Sequence, residues 1–154
     1  MVELLSILLV EDNDDVVELT TRALTKANIV NPLVRVHDGV DALDYLLGRG
    51  SYAGRDQCVL PVFVLLDLNL PRLDGIDVLK AIRAHKETRN LPVMLLTSSD
   101  RDRARFAVAA DPLYDWVKKP ITFKQLLVVA HTLGLGWLVG NEELIQSNST
   151  RRFI

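Results

Sequence analysis

The chain has a single cysteine, Cys58, in 154 residues, so no intramolecular disulfide can form. It is read as a small buried or loop residue in a reducing compartment. A surplus of one charge is also missing. There are 18 Lys+Arg against 20 Asp+Glu, a formal net charge of −2. A protein that coats nucleic acid or an anionic membrane carries a strong basic excess, so neither partner is expected. No apolar run approaches the length of a membrane span. The first run, Leu4 to Val10, stops at Glu11-Asp12 and has no basic leader, so neither a secretory signal nor a spanning helix is expected. The cytoplasm follows as the expected location. The three histidines, His37, His85 and His131, have no metal spacing and no nucleophile partner, and are read as surface or capping residues. Internal repeats and low-complexity linkers are absent.

Apolar residues are plentiful, at 49%, with 25% charged. That balance builds a sizeable core without a structural metal, and the length fits one domain. Leu4–Val10, Val62–Leu66 and Val93–Leu96 are short runs apolar on both faces, as suits central strands of a parallel sheet. Val34-Arg35-Val36 alternates like an edge strand, and Tyr114–Val117 is a fifth candidate. Helical spacing of apolar residues fills Asp14–Ala27, Gly39–Leu47, Asp74 to Ile82 and Thr122–Thr132, and Arg101–Ala110 is a short alanine-rich candidate. Asp74 is a good N-cap, because its carboxylate can accept the free N–H groups of a first turn. Strand then helix, five times over, predicts an α/β fold: a doubly wound, five-stranded parallel sheet with helices on both faces. Gly48–Pro61 is a long polar connection, and residues 135–154 form a C-terminal extension to a domain spanning 1–134.

In such folds active groups collect at the carboxyl edge of the sheet. Glu11-Asp12-Asn13, Asp67-Leu68-Asn69, Thr97-Ser98-Ser99 and Lys118-Lys119-Pro120 all fall there. Acids gathered at one edge repel and need a counter-charge. Oxygen donors from Asp12, Asp67 and a nearby backbone carbonyl suit a hard cation such as Mg²⁺, with Glu11 acting through one of its waters. The cation would let the Asp67 carboxylate attack phosphorus. Thr97 can donate its hydroxyl, and Lys119 can set its ammonium, against phosphoryl oxygens. Each residue alone is more often a cap or a surface group. The joint pattern at four strand ends is what points to one site.

Four segments carry a resemblance to the response-regulator receiver domains of two-component signalling. They are Ile7–Asn13 (ILLVEDN), Leu65–Gly75 (LLDLNLPRLDG), Pro92–Ser98 (PVMLLTS) and Lys119-Pro120. The resemblance spans about residues 4–133. It implies a flavodoxin-like receiver fold and a phospho-accepting switch, catalysing only its own phosphorylation and dephosphorylation. It implies that Asp67 is the phospho-acceptor, with Thr97 and Lys119 reading the phosphoryl group. Glu11, Asp12, Asp67 and the carbonyl of Asn69 would arrange Mg²⁺, and Pro120 would follow a cis peptide bond. Thr97 and Trp116 take the switch positions, where the family usually has Tyr or Phe in place of Trp116. Pro112-Leu113 stands where the family often has Gly-Ala.

The insertion at 48–61, the absence of a following DNA-binding stretch and the tail look like the response regulators paired with phytochrome-type kinases. That likeness implies a bacteriophytochrome-type histidine kinase as partner. It also implies a homodimer through helix 4, strand 5, helix 5 and the C-terminal extension. The tail has Leu133, Leu135, Trp137, Leu138 and Val139, which either fold back on their own domain or pack on another subunit. The mixed run of Asp100, Arg101, Asp102, Arg103 and Arg105 reads as a solvated helix face. Three other readings stay open: a phosphorelay intermediate, a receiver-shaped binding module, and an aspartyl-phosphate phosphohydrolase. The last wants a general acid two residues after the nucleophile, where this chain has Asn69.

Overall fold

The computed structural model describes residues 5–56, 59–105 and 113–138. Cys58, Pro112, residues 106–110, the tail from Val139 onward and the side chains of Arg103 and Arg105 lie outside the described residues.

Five parallel strands, β1 (Ile7–Val10), β2 (Leu33–Val36), β3 (Val64–Asp67), β4 (Val93–Thr97) and β5 (Tyr114–Lys118), form one sheet in the order β2-β1-β3-β4-β5. The helices between and after them are α1 (Asp14–Lys26), α2 (Gly39–Leu47), α3 (Gly75–Ala84), α4 (Asp100–Arg105) and α5 (Phe123–Thr132). The doubly wound architecture expected from the apolar runs is the one observed. Side chains of a strand alternate between faces, so β1, β3 and β4 feed two cores. Ile7, Leu9, Leu65, Met94 and Leu96 pack with residues of α1 and α5. Leu8, Val10, Val64, Leu66 and Leu95 pack with α2 and α3. Both faces are covered, and every residue of these three strands is buried.

Helix starts follow local chemistry. Asn13 caps α1 by accepting from the N–H groups of Asp15 (2.8 Å) and Val16 (3.3 Å). Asp38, Asp74 and Thr122 cap α2, α3 and α5 in the same way. Asp74 is therefore the cap the sequence suggests. α2 ends at Gly48 with φ of 63°, a left-handed conformation that glycine adopts without strain.

Several boundaries differ from the sequence reading. β1 starts at Ile7 rather than Leu4, and Leu5 is left half exposed. Asp67 and Thr97 are the last residues inside β3 and β4, held by the ladder, rather than the first residues after them. The 48–61 connection is not a plain loop. A 3₁₀ turn at Gly50–Tyr52 leads to Arg55, whose guanidinium donates to the carbonyls of Tyr45 (2.6 Å), Val59 (2.7 Å) and Leu46 (3.3 Å) and lies 4.2 Å from the Tyr45 ring centre. Tyr52 meets Tyr45 edge-on at 5.2 Å.

After α5 the chain turns back. Leu133, Leu135 and Leu138 are buried in the α1/α5 core, whereas Trp137 is 58% exposed. The start of the tail therefore folds onto its own domain.

Candidate functional site

The carboxyl edge of the sheet holds the acids. Glu11 directly follows β1 and is buried, Asp67 ends β3 and is buried, and Asp12 is exposed. One carboxylate oxygen from each lies within 4.8 Å of the others. The start of α3 comes up against Asp67 because residue 75 is glycine. A Cβ there would sit 2.4 Å from the Asp67 carbonyl oxygen, so no side chain fits. Gly75 N–H donates to the Leu68 carbonyl at 2.8 Å and closes the loop that carries Asn69.

Lys119 supplies the cation. Its Nζ donates to Asp67 Oδ2 at 2.9 Å and lies 3.3 Å from Glu11 Oε1. The register that pairs Thr97 with Lys118, with Lys119 N–H donating to the Thr97 carbonyl at 2.7 Å, places it there. The Lys119-Pro120 peptide is cis, as the resemblance implies. Asp67 Oδ1 accepts from the N–H of exposed Asn69 at 3.1 Å.

Two buried acids facing one lysine leave the charge unbalanced. Burial first, and the neighbouring Asp67 carboxylate second, push the Glu11 carboxyl up to about 7. Burial pulls Lys119 down, but its contacts with Asp67 and Glu11 outweigh that, and its ammonium is held above the ordinary lysine value. Glu11 Oε2 accepts from Asn13 N–H at 3.2 Å. Glu11 Oε1 is buried, and its contact with Lys119 falls short of hydrogen-bonding geometry. An orphaned buried carboxylate oxygen, beside two other carboxylates and no nitrogen or sulfur ligand, fits a hard divalent cation. Among the described residues no histidine joins such a cluster. His37 and His131 are exposed, and His85 ends α3 with Nδ1 2.8 Å from the Ala81 carbonyl.

The two switch candidates have different surroundings. Thr97 is fully buried, and its hydroxyl faces Asp102 Oδ2 at 3.0 Å and the Ser99 carbonyl at 3.1 Å. Trp116 is half-buried on the α2/α3 side and meets Tyr114 edge-on at 6.3 Å.

Sequence reasoning missed two residues. Arg35 of β2 donates from Nε to the Glu11 carbonyl at 2.8 Å and pairs with Asp14 at 2.9 Å, tying the edge strand to the acid loop. Asp102 was expected on a solvated face, and that is corrected here: it holds Thr97, while Asp100 pairs with Lys118 at 3.2 Å. An arginine between two valines of an alternating strand was a signal for the first. Nothing in the spacing marks the second.

A doubly wound five-stranded parallel sheet with a buried acid pair, a third acid and a lysine at its carboxyl edge defines the class of flavodoxin-like receiver domains. Residues 7–131 match the family model described as the response regulator receiver domain, and the chain belongs to that family. It is a response regulator of the two-component type.

The probable methanogenesis regulatory protein FilR2 of Methanothrix harundinacea is 36% identical over 136 residues, covering 88% of this chain and 84% of that one. The solved bacteriophytochrome response regulator AtBRR is 40% identical with a TM-score of 0.75, covering 87% of this chain and 95% of its own. Response regulator Rcp1 of Synechocystis sp. is 30% identical over 132 residues, covering 86% of this chain and 88% of that one. Its Mn²⁺-bound form has been solved and superposes with a TM-score of 0.61 at 29% identity, covering 86% of this chain and 92% of that one.

Proposed function

We propose that this receiver is a phosphorylation switch in which Asp67 accepts a phosphoryl group from the phosphohistidine of a histidine kinase. The observation that carries the reading is the contact of Lys119 Nζ with Asp67 Oδ2 at 2.9 Å beside the Glu11 and Asp12 carboxylates. In the transfer, the bond from phosphorus to the kinase imidazole nitrogen breaks as a bond to an Asp67 carboxylate oxygen forms. The imidazole then takes up a proton. Glu11, Asp12, Asp67 and the carbonyl of Asn69 would hold Mg²⁺, a choice supported by the all-oxygen donor set. When bound, that ion supplies positive charge to the phosphoryl oxygens.

The residues do the rest by position. Lys119 releases part of its contact with Asp67 and meets a phosphoryl oxygen. Thr97 donates its hydroxyl to another. The phosphoryl group adds about −1.5 to −2 charge at the sheet edge. Its contacts with Thr97 and Lys119 favour one packing of α4 and β5 over another. The exposed amide Asn69, two residues after Asp67, has no proton suited to general acid work, which weighs against a phosphohydrolase.

The likeness to AtBRR and Rcp1 supports a phytochrome-type histidine kinase as the donor. The cytoplasm is the compartment in which such a kinase domain would meet it. No helix among the described residues is long and apolar enough to cross a membrane. A second copy of the chain is the partner proposed for α4, β5, α5 and the C-terminal extension, where Val128 (65%) and Leu127 (37%) on α5 and Trp137 (58%) after it are exposed.

Transfer of label from a phosphorylated histidine kinase tests the reading. Wild type should take label only with Mg²⁺, and Asp67→Asn should take none. Labelling of Asp67→Asn at the wild-type rate would overturn the assignment.

A further inference from the structure

Thr97 has one hydroxyl proton, and it is already engaged. Oγ1 faces Asp102 Oδ2 at 3.0 Å and the Ser99 carbonyl at 3.1 Å, while Ser99 N–H donates back to Oγ1 at 3.2 Å. A carboxylate is the stronger acceptor of the two, and the threonine itself is fully buried, though its bond to half-buried Asp102 is only partly so. Asp102 belongs to the first turn of α4, and its own N–H donates to the Ser99 carbonyl at 3.2 Å. Two residues earlier, Asp100 pairs with Lys118, the neighbour of Lys119. The first turn of α4 thus grips both strand ends that flank the phosphoryl position.

We infer that Asp102 is a positioning residue: it holds the Thr97 hydroxyl in the resting protein and must release it when Asp67 is phosphorylated. The inference rests on the phospho-acceptor reading and names how that site is restrained. A hydroxyl cannot serve the Asp102 carboxylate and a phosphoryl oxygen with a single proton. Phosphorylation therefore breaks the Thr97–Asp102 bond, and the first turn of α4 loses its tie to β4. Asp102 both opposes activation and carries it to α4.

Beryllofluoride, an acyl-phosphate mimic, tests this by calorimetric titration of the full chain with Mg²⁺ present. Removing the competing acceptor frees the hydroxyl, so Asp102→Ala should bind beryllofluoride about tenfold more tightly than wild type. Asp102→Asn keeps a neutral acceptor of the same shape and should give a smaller gain. In a Thr97→Ala background, Asp102→Ala should change nothing, because no hydroxyl remains to be released. Unaltered affinity of both Asp102 variants in the wild-type background would overturn the inference. So would an equal gain with and without the Thr97 hydroxyl, since that would reflect charge or packing alone. Failure of wild type itself to bind beryllofluoride would remove the phospho-acceptor reading along with this one. Normal wild-type binding with inert Asp102 variants would remove this one only.

Discussion

Glu11 shows how burial converts an ordinary carboxylate into a group that titrates near neutrality. Its pKa is raised to about 7 in the folded chain, from an ordinary value of 4.5. Between those values the folded state binds more protons than the unfolded one. Stability from this group is therefore fully present below pH about 4.5 and is lost as pH rises through about 7. In chelator, denaturant midpoints of wild type should fall between pH 5 and 7.5, and Glu11→Gln should remove most of that fall. An equal slope in both proteins would refute it. A divalent cation competes with the same proton, so Mg²⁺ should flatten the wild-type slope. The five polar site residues were legible as types at strand ends, because acids, a hydroxyl and a lysine in that order have few other reasons to coincide. Arg35 and Asp102 were not legible. Their partners, the Glu11 carbonyl and the Thr97 hydroxyl, are set by register and by a helix turn, which residue spacing does not encode.

At the scale of elements, burial on both faces made β1, β3 and β4 readable as apolar runs. Apolar spacing gave the bounds of α2, and the Asp74 cap marked the start of α3. Strand ends were less readable, because the ladder extends to Asp67 and Thr97, two polar residues that hydropathy alone would exclude. The 48–61 segment was legible as a polar connection but not as an ordered one. Much of its order comes from Arg55, which satisfies carbonyls of α2 and of Val59, and single-residue clamps have no periodicity. Arg55→Met should lose the three hydrogen bonds while keeping the aliphatic stem over Tyr45. A loss of about 1–3 kcal/mol in chemical denaturation is expected, with faster proteolytic cleavage within 48–61 and phosphorylation retained. Unchanged stability and cleavage would show that the segment is held by other contacts.

For the molecule as a whole, the tail divides its apolar residues between two uses. Leu135 and Leu138 complete the core beside α5, and Leu138→Ala should cost about 2–5 kcal/mol in a denaturant melt. A loss below that range would mean the segment contributes little. Trp137, with Val128 and Leu127 on α5, remains on the surface. If these residues join two copies, Trp137→Glu combined with Val128→Glu should give the mass of one chain by light scattering, where wild type gives two. Equal masses for the two proteins would contradict the dimer. The switch itself stands on Asp67. Mixed with phosphorylated kinase and Mg²⁺ and then reduced with borohydride, an aspartyl phosphate becomes homoserine. Peptide mass spectrometry is expected to find that conversion at residue 67 and at no other acid. Homoserine at Asp12 or Glu11, or none anywhere despite phosphoryl transfer, would contradict the account.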